Sequence, residues 1–191
     1  MVKKILMILL IVGLMVSVII LNLKVSFVSS YTYTGHRWRL NCTEINIFAT
    51  PFNQEFQSAA NSARQKWNQS GANFTFILND ASNNYIDWEI LPSNIIGLTQ
   101  VDLDSDGYIE NCISYLNVYI PYSTNGEPNC YDVESVFLHE FGHWLSLGHS
   151  NIYQAVMFRE LLKGQLKRAL HQDDINGIKS IYGIRKQGGE K

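Results

Sequence analysis

Eleven consecutive residues limit the possible folds and functions of this chain more than any others, and they read His139-Glu-Phe-Gly-His-Trp-Leu-Ser-Leu-Gly-His149. His139 and His143 are four residues apart, so a helix places both imidazole rings on one face, one turn apart. Two such rings can bind a zinc ion, and a catalytic zinc site usually adds a third protein ligand and an open position.

His149 is the candidate third ligand. It follows His143 by six residues and lies past Gly148, where the helix can end, so the chain can turn and bring this ring to the metal. Glu140, next to the first ligand, can reach a water molecule at the zinc. There it would act as general base and pass the proton to the leaving amine.

A helix with two histidines can also be an ordinary solvated face, and the pattern HExxH arises by chance. This helix, however, is largely apolar. Unpaired imidazoles and a carboxylate on a buried helix would cost several kcal/mol unless a metal satisfies them. The apolar positions therefore favour the zinc site; they are Val136, Phe137, Leu138, Phe141, Trp144, Leu145 and Leu147.

The rest of the chain predicts an α+β order of elements. Apolar residues at helical spacing predict an amphipathic helix over 54–67, and Asp132 is a good N-cap for a helix that continues to residue 147. A last helix begins near Asp173. Strands are predicted at 44–49, 74–77, 85–90, 95–101 and 108–119, the last two joined by a turn at 104–107.

The N-terminal segment predicts export. Lys3 and Lys4 precede an apolar run over residues 5–21 that is typical of a secretory signal and also approaches the length of a membrane anchor. Both alternatives remain open, and both export the remainder of the chain, because the lysines stay on the cytoplasmic side. We expect residues 1–30 to be a signal peptide or anchor and residues 31–191 to be the functional domain.

The charge balance argues against nucleic acid as a partner. The chain has 15 basic and 17 acidic residues, and the first 30 hold three lysines and no acid, so residues 31–191 carry 12 basic and 17 acidic residues. A mildly acidic domain lacks the excess of basic residues with which proteins bind DNA or RNA. We expect contact with a membrane only through the N-terminal segment.

Three cysteines, Cys42, Cys112 and Cys130, fit an oxidising compartment with one disulfide and one remaining thiol. The connectivity cannot be read from the sequence. Cys112 and Cys130 both lie shortly before the histidine segment, and we favour a disulfide between these two.

Three motifs in a fixed order carry a family resemblance that spans residues 36–184. The histidine segment resembles the metzincin zinc motif H-E-x-x-H-x-x-G-x-x-H, and within that clan it resembles the matrixins, the matrix-metalloproteinase family. Residues 155–158, Ala-Val-Met-Phe, resemble the matrixin Met-turn, and residues 170–183 resemble the C-terminal helix signature of that family.

The resemblance implies a minimal metzincin-like catalytic domain and a zinc endopeptidase that acts on extracellular proteins or peptides as a monomer. It implies a twisted, mainly parallel sheet with an antiparallel edge strand, above an active-site helix and a C-terminal helix. The edge strand binds substrate in the family; here it would include Gly97, Leu98 and Thr99. Met157 would support the zinc site, and an apolar pocket would favour cleavage before a bulky apolar residue.

The chain departs from the family pattern at two positions. Ser146 stands where metzincins have a glycine that ends the helix in a left-handed conformation, which costs serine about 1 kcal/mol or more. Either Gly148 takes over this turn or Ser146 bears the strain. Arg159 stands where matrixins commonly have proline. The serine leaves open an alternative function, a non-catalytic zinc-binding surface protein that acts in adhesion or peptide capture.

A second metal is a weaker hypothesis. Asp102, Asp104 and Asp106, with Gly107, resemble the first half of a calcium loop. The twelfth position is Ile113 where an EF-hand has glutamate, so that pattern fails. We favour a plain hairpin turn, with a calcium site as the alternative.

Overall fold

A computed structural model of the chain describes residues 30–49 and 52–186, so the predicted export segment lies outside the described residues except for Ser30. The described helices and strands follow the predicted α+β order. They are β1 (Thr32–Tyr33), β2 (Cys42–Ile45), α1 (Gln54–Asn68), β3 (Thr75–Leu78), β4 (Tyr85–Glu89), β5 (Gly97–Leu103), β6 (Ile109–Asn117), β7 (Tyr122–Ser123), β8 (Tyr131–Asp132), α2 (Val133–Trp144), β9 (Leu147–Gly148) and α3 (Gln172–Tyr182).

The longer strands form one mixed sheet. β2 pairs with β3 and β4 pairs with β6, both in parallel, and a parallel bridge between Asn46 and Tyr85 joins the two pairs. β5 pairs antiparallel with β6 at the edge, which gives the order β3-β2-β4-β6-β5. The expected mainly parallel sheet with an antiparallel edge strand is confirmed.

The first predicted strand ends earlier than expected. Residues 44–49 were predicted as one strand, but β2 ends at Ile45. The Asn46 side chain donates to the Asp80 carbonyl at 2.5 Å and accepts from the Phe48 amide at 2.9 Å. These bonds turn the chain away from the sheet, because they compete with the bonds that would extend the strand.

The core lies between the sheet and the helices α1 and α2. The Asn53 side chain caps α1 by accepting from the Phe56 amide, and the buried face of the helix includes Ala60, Ala63 and Trp67. The indole of Trp67 donates to the Leu138 carbonyl at 2.9 Å, which ties α1 to α2. Large aromatic side chains from both helices and β3 fill this layer; they include Phe76, Phe137, Phe141 and Trp144.

The expected hairpin turn between β5 and β6 is present. Gly107 adopts a left-handed φ of 82°, and the Asp104 carboxylate accepts from the amides of Asp106 at 2.9 Å and Tyr108 at 3.0 Å. Such bonds are typical of a turn that begins with aspartate.

Within residues 30–49 and 52–186, no helix combines the length and the apolar character needed to cross a membrane.

Candidate active site

Helix α2 carries the first two histidines and the glutamate. It begins after Asp132, whose side chain accepts from the Ser135 amide at 2.9 Å, as predicted for an N-cap. His139 and His143 lie one turn apart on the same face, with ring centroids 4.8 Å apart. Glu140 lies beside them and is almost fully buried.

The helix ends earlier than residue 147, because Ser146 bears the left-handed turn. α2 ends at Trp144, and Ser146 has a φ of 69° while its amide donates to the His143 carbonyl at 3.0 Å. Gly148 instead lies in β9, paired with Thr32 of β1. Of the two alternatives, the strained serine is the one the structure adopts.

The turn brings His149 back to the two helical histidines. The ring centroid of His149 is 5.3 Å from that of His139 and 5.2 Å from that of His143. The Thr32 hydroxyl donates to the His149 carbonyl at 3.0 Å, which fixes the backbone of the third histidine. One nitrogen from each ring lies within 4.8 Å of the others.

The protonation of the rings fits a zinc site. His139 Nδ1 contacts the Val156 carbonyl at 2.8 Å, and His143 Nδ1 contacts the Leu147 carbonyl at 2.7 Å. A carbonyl only accepts, so each Nδ1 carries the proton and each Nε2 presents a lone pair. Three imidazole nitrogens at this spacing fit the donor set of a zinc site.

The surroundings keep all three rings neutral. Burial, followed by the neighbouring His143, lowers the pKa of His139 to about 3. Burial also lowers the pKa of His143, and burial together with His143 and Arg159 lowers the pKa of His149. The neutral imidazole is the form that binds a metal ion.

Glu140 faces the edge strand β5. Its Oε2 accepts from the Thr99 hydroxyl at 2.7 Å. Its Oε1 lies over Gly97, where a Cβ would come within 2.6 Å of it. Burial raises the pKa of Glu140 to about 7, against the opposing effect of the Thr99 bond. A carboxyl group with such a pKa can both accept and release a proton near neutral pH.

Met157 lies against α2 as the family resemblance implies. A Cβ at residue 142 would overlap the Met157 sulfur, so the methionine occupies the space that Gly142 leaves open. The Asp174 carboxylate of α3 accepts from the amides of Val156 at 2.9 Å and Met157 at 3.0 Å. Since the Val156 carbonyl also bonds His139, Asp174 secures the backbone that orients the first histidine. Sequence reasoning missed this role of Asp174, although the residue lies within the C-terminal helix signature.

A cleft of about 510 Å³ lies between β5 and α2 and contains the histidine cluster. The predicted edge-strand residues Gly97, Leu98 and Thr99 line it, and so do Glu140 and the segment 158–161 that contains Arg159. Lys167 also lines the cleft. Its ammonium group donates to the Tyr153 carbonyl at 2.6 Å, and burial lowers its pKa.

The aspartates of the β5–β6 turn lie apart from this cleft and bind an arginine. The Arg39 guanidinium contacts carboxylate oxygens of Asp104 and Asp106, each at 2.8 Å. Asp102 instead accepts from the Gln100 side chain at 3.2 Å. Arg39 thus takes the position that a cation would take between Asp104 and Asp106.

The expected disulfide between Cys112 and Cys130 is not formed, and both cysteines are free, as is Cys42. Cys112 is fully buried within β6, where burial raises the pKa of its thiol. Cys130 lies in the turn before β8, with its thiol toward the Glu127 carboxylate. Proximity along the chain to the histidine segment was a poor guide, because Cys112 is enclosed in the core whereas Cys130 lies in a partly exposed turn.

Comparison with known proteins agrees with the geometry. The profile of the matrixin family matches residues 51–183. Metalloendoproteinase 5-MMP of Arabidopsis thaliana is 38% identical over 92 residues, which cover 48% of this chain and 24% of that protein. Metalloendoproteinase 1 of Glycine max is 46% identical over 56 residues, 29% of this chain and 18% of that protein.

Matrix metalloproteinase-27 of Homo sapiens is 55% identical over 49 residues, which cover 25% of this chain and 10% of that protein. The chain therefore matches no more than 24% of the length of any of these three relatives. The family profile nevertheless covers more than half of the chain. Residues of the zinc motif and of the Met-turn line one cleft, and the C-terminal helix bonds the backbone of the Met-turn. The chain belongs to the matrixin family.

Proposed function

We propose that this chain is a zinc-dependent endopeptidase, with His139, His143 and His149 as zinc ligands and Glu140 as general base. The observation that carries the proposal is that three neutral imidazole rings converge and line the same cleft as a buried carboxylate. The names of the relatives, metalloendoproteinase and matrix metalloproteinase, support the same activity.

The chemistry follows from the positions of these groups. When bound, zinc supplies Lewis acidity toward a water molecule and toward the scissile carbonyl. Glu140 would take a proton from the attacking water and return it to the leaving nitrogen, the two transfers that a general base performs in this reaction. Met157 and Asp174 act indirectly, by holding the backbone that contacts α2 and His139.

Substrate would bind as an extended strand along β5. Among the described residues β5 pairs only with β6, so its other edge is available to a peptide in the cleft. Added strands of this kind use backbone hydrogen bonds for affinity and pockets for specificity. The apolar residues of the cleft, such as Ile96, Val136 and Leu161, favour a bulky apolar side chain after the cleaved bond.

We also propose that the domain is exported, and this part of the proposal rests on residues 1–30 alone. The lysine-flanked apolar run predicts that the domain acts outside the cell, either released or anchored. The mass of the exported protein distinguishes these forms, because removal of the segment shortens the chain by about thirty residues.

A peptide library with mass-spectrometric detection tests the activity. Zinc-loaded wild-type protein is expected to cut internal bonds, mostly before leucine, phenylalanine or similar residues, while Glu140→Ala is inactive at equal zinc content. A wild-type protein that binds zinc and peptides but cuts nothing would instead support the non-catalytic alternative. Cleavage that is the same in wild type and Glu140→Ala would assign the activity to a contaminant.

A further inference from the structure

Two pairs of polar side chains face each other across the contact between α2 and the sheet. Glu140 and Trp144 are one helical turn apart on α2. Thr99 of β5 and Ser114 of β6 are direct partners in the antiparallel register, so their side chains share one face of the sheet. Glu140, Ser114 and Trp144 are buried, and Thr99 is partly buried.

These four residues form a continuous chain of hydrogen bonds. Trp144 Nε1 lies 2.7 Å from Ser114 Oγ, and Ser114 Oγ lies 2.8 Å from Thr99 Oγ1. Thr99 Oγ1 lies 2.7 Å from Glu140 Oε2, and the Glu140 carbonyl is a more distant acceptor at 3.3 Å. The chain thus connects the indole of α2 to the carboxylate on the same helix through the sheet.

The direction of each bond follows from what each group can donate. An indole nitrogen only donates, so Ser114 Oγ accepts from Trp144. The Thr99 hydroxyl donates its proton to Glu140 Oε2. The bond between Ser114 and Thr99 therefore uses the proton of Ser114. Each hydroxyl therefore donates once and accepts once, and the chain ends on a carboxylate oxygen that carries no proton. Oε1 takes no part in this chain of hydrogen bonds.

Space restricts the carboxylate on its other side. Gly97 lies two residues before Thr99 on β5, and a Cβ at that position would come within 2.6 Å of Glu140 Oε1 and 3.1 Å of its Cδ. The carboxylate therefore fits only because residue 97 has no side chain, and Thr99 holds the oxygen next to it. Together the two positions leave one orientation of the group.

We propose that Thr99 and Ser114 are positioning residues, which hold the Glu140 carboxylate in place for the attacking water through the bond to Oε2. This inference rests on the proposed function of Glu140 as general base. A general base must lie within hydrogen-bond reach of its proton donor in one geometry, and a misplacement of about 1 Å can reduce the rate about 100-fold. A buried, pre-oriented carboxylate avoids that loss.

Thr99→Val tests the inference, because valine keeps the shape of threonine and lacks the hydroxyl group. We expect kcat to fall about 10- to 100-fold with less than about a twofold change in KM, at unchanged zinc content. Thr99→Ser retains the hydroxyl and is expected to keep kcat within about threefold of wild type. Ser114→Ala, which leaves the Thr99–Glu140 bond, is expected to lower kcat less than Thr99→Val does.

Thr43→Val is the matched control. Thr43 is a buried threonine of β2 in the same sheet, and its hydroxyl accepts from Asn84 at 3.3 Å, away from Glu140. The kcat of Thr43→Val is expected to equal that of wild type. A Thr99→Val protein with wild-type kcat, or a Thr99→Ser protein as slow as Thr99→Val, would overturn the inference.

A crystal structure of zinc-loaded Thr99→Val supplies a readout that does not depend on activity. The Glu140 carboxylate is expected to rotate away from β5, whereas an unchanged orientation would reject the positioning role. If Thr99→Val does not fold, Thr99→Ala takes its place with the same expected loss of kcat, and a Thr99→Ala protein with the wild-type kcat would overturn the inference. Zinc-loaded wild type that cleaves no peptide would reject the proposed function instead, so the two failures are distinguishable.

Discussion

The Nε2 atoms of His139 and His143 lie 3.2 Å apart, while Nδ1 of each ring contacts a backbone carbonyl. The carbonyls fix the protons on Nδ1, so two lone pairs face each other across this short distance. They repel unless a cation draws them together. The backbone has therefore oriented both rings for a metal ion, since hydrogen bonds from the second ring nitrogen fix the orientation of histidine ligands.

Replacing His149 tests whether the third ring completes this site. We expect wild-type protein to bind one zinc ion per chain and His149→Ala to bind it more than about 100-fold more weakly, since even the hydrogen-bond partners of ligands contribute about 10- to 100-fold. Competition with a chromogenic chelator measures both affinities. His36→Ala, whose ring contacts the Gly107 carbonyl outside the cluster, should bind zinc as wild type does. Equal affinity in His149→Ala would remove this residue from the site.

The strained turn after α2 predicts that Ser146→Gly stabilises the protein. The left-handed φ of Ser146 costs serine about 1–2 kcal/mol. Glycine also makes the unfolded chain more flexible, which lowers the free energy of unfolding by about 0.4–1 kcal/mol and offsets part of this gain. The free energy of unfolding in urea should therefore rise by about 1 kcal/mol.

Ser146→Ala separates the two contributions at this turn. Alanine removes the hydroxyl group, which faces the Tyr182 side chain, but keeps the Cβ that disfavours the left-handed conformation. The stability of Ser146→Ala should therefore lie below that of Ser146→Gly, because the strain of the turn remains. A Ser146→Gly protein that is less stable than wild type would mean that serine is not strained here.

The close packing of Met157 on α2 predicts that Gly142→Ala is destabilising. Alanine is the better helix former by about 1 kcal/mol, but its Cβ would overlap the Met157 sulfur and approach the Trp67 ring to 3.1 Å. Overpacking of this kind costs about 1–3 kcal/mol, so the net loss should be about 1 kcal/mol by thermal or urea unfolding. In the double variant with Met157→Ala the two effects should be less than additive, because the small side chain relieves the overlap. Simple additivity would show that the two residues are not in contact.

The N-terminus of α2 depends on an ion pair with a defined pH dependence. Asp132 is fully buried and accepts from Arg168 Nε at 3.0 Å. Burial alone would raise the pKa of Asp132, but the bonds from Arg168 and Ser135 outweigh it and lower the pKa below its usual value. A lowered pKa means that this carboxylate stabilises the fold above pH about 4 and that the contribution is lost as the pH falls through the folded-state pKa.

Arg168→Met should accordingly reduce the free energy of unfolding by about 2 kcal/mol at pH 7. This is less than the roughly 3–5 kcal/mol typical of a broken buried pair, because the arginine side chain is 31% exposed. Urea unfolding should show the difference between variant and wild type shrinking below pH about 4. Arg159→Met, at an exposed arginine without an ion pair to the described residues, is the control. A difference that stays constant down to pH about 3 would contradict the assignment to Asp132.

The parts of the site that were predictable are those set by local spacing. A helix fixes the relation of His139 to His143, and the turn to His149 needs only a few residues, so spacing alone brings the three rings together. The contact of Thr99 with Glu140 depends instead on the register between β5 and β6, since a slip of one residue would turn Thr99 to the other face. No pattern within either strand reveals that register.

The same distinction explains two of the wrong predictions. The early end of α2 depends on a conformation that serine rarely adopts, and the buried position of Cys112 depends on which face of β6 meets the core. Both are consequences of tertiary packing, which local sequence preferences do not contain.

The rate of cleavage of a quenched fluorescent peptide, measured against zinc bound per chain, tests the central claim most directly. Metal-free protein reconstituted with increasing zinc should gain activity linearly up to one ion per chain. Glu140→Gln at the same zinc content should be about 10²- to 10⁴-fold slower, as expected for loss of a general base. Activity that is independent of zinc, or that survives in Glu140→Gln at the wild-type rate, would contradict the account.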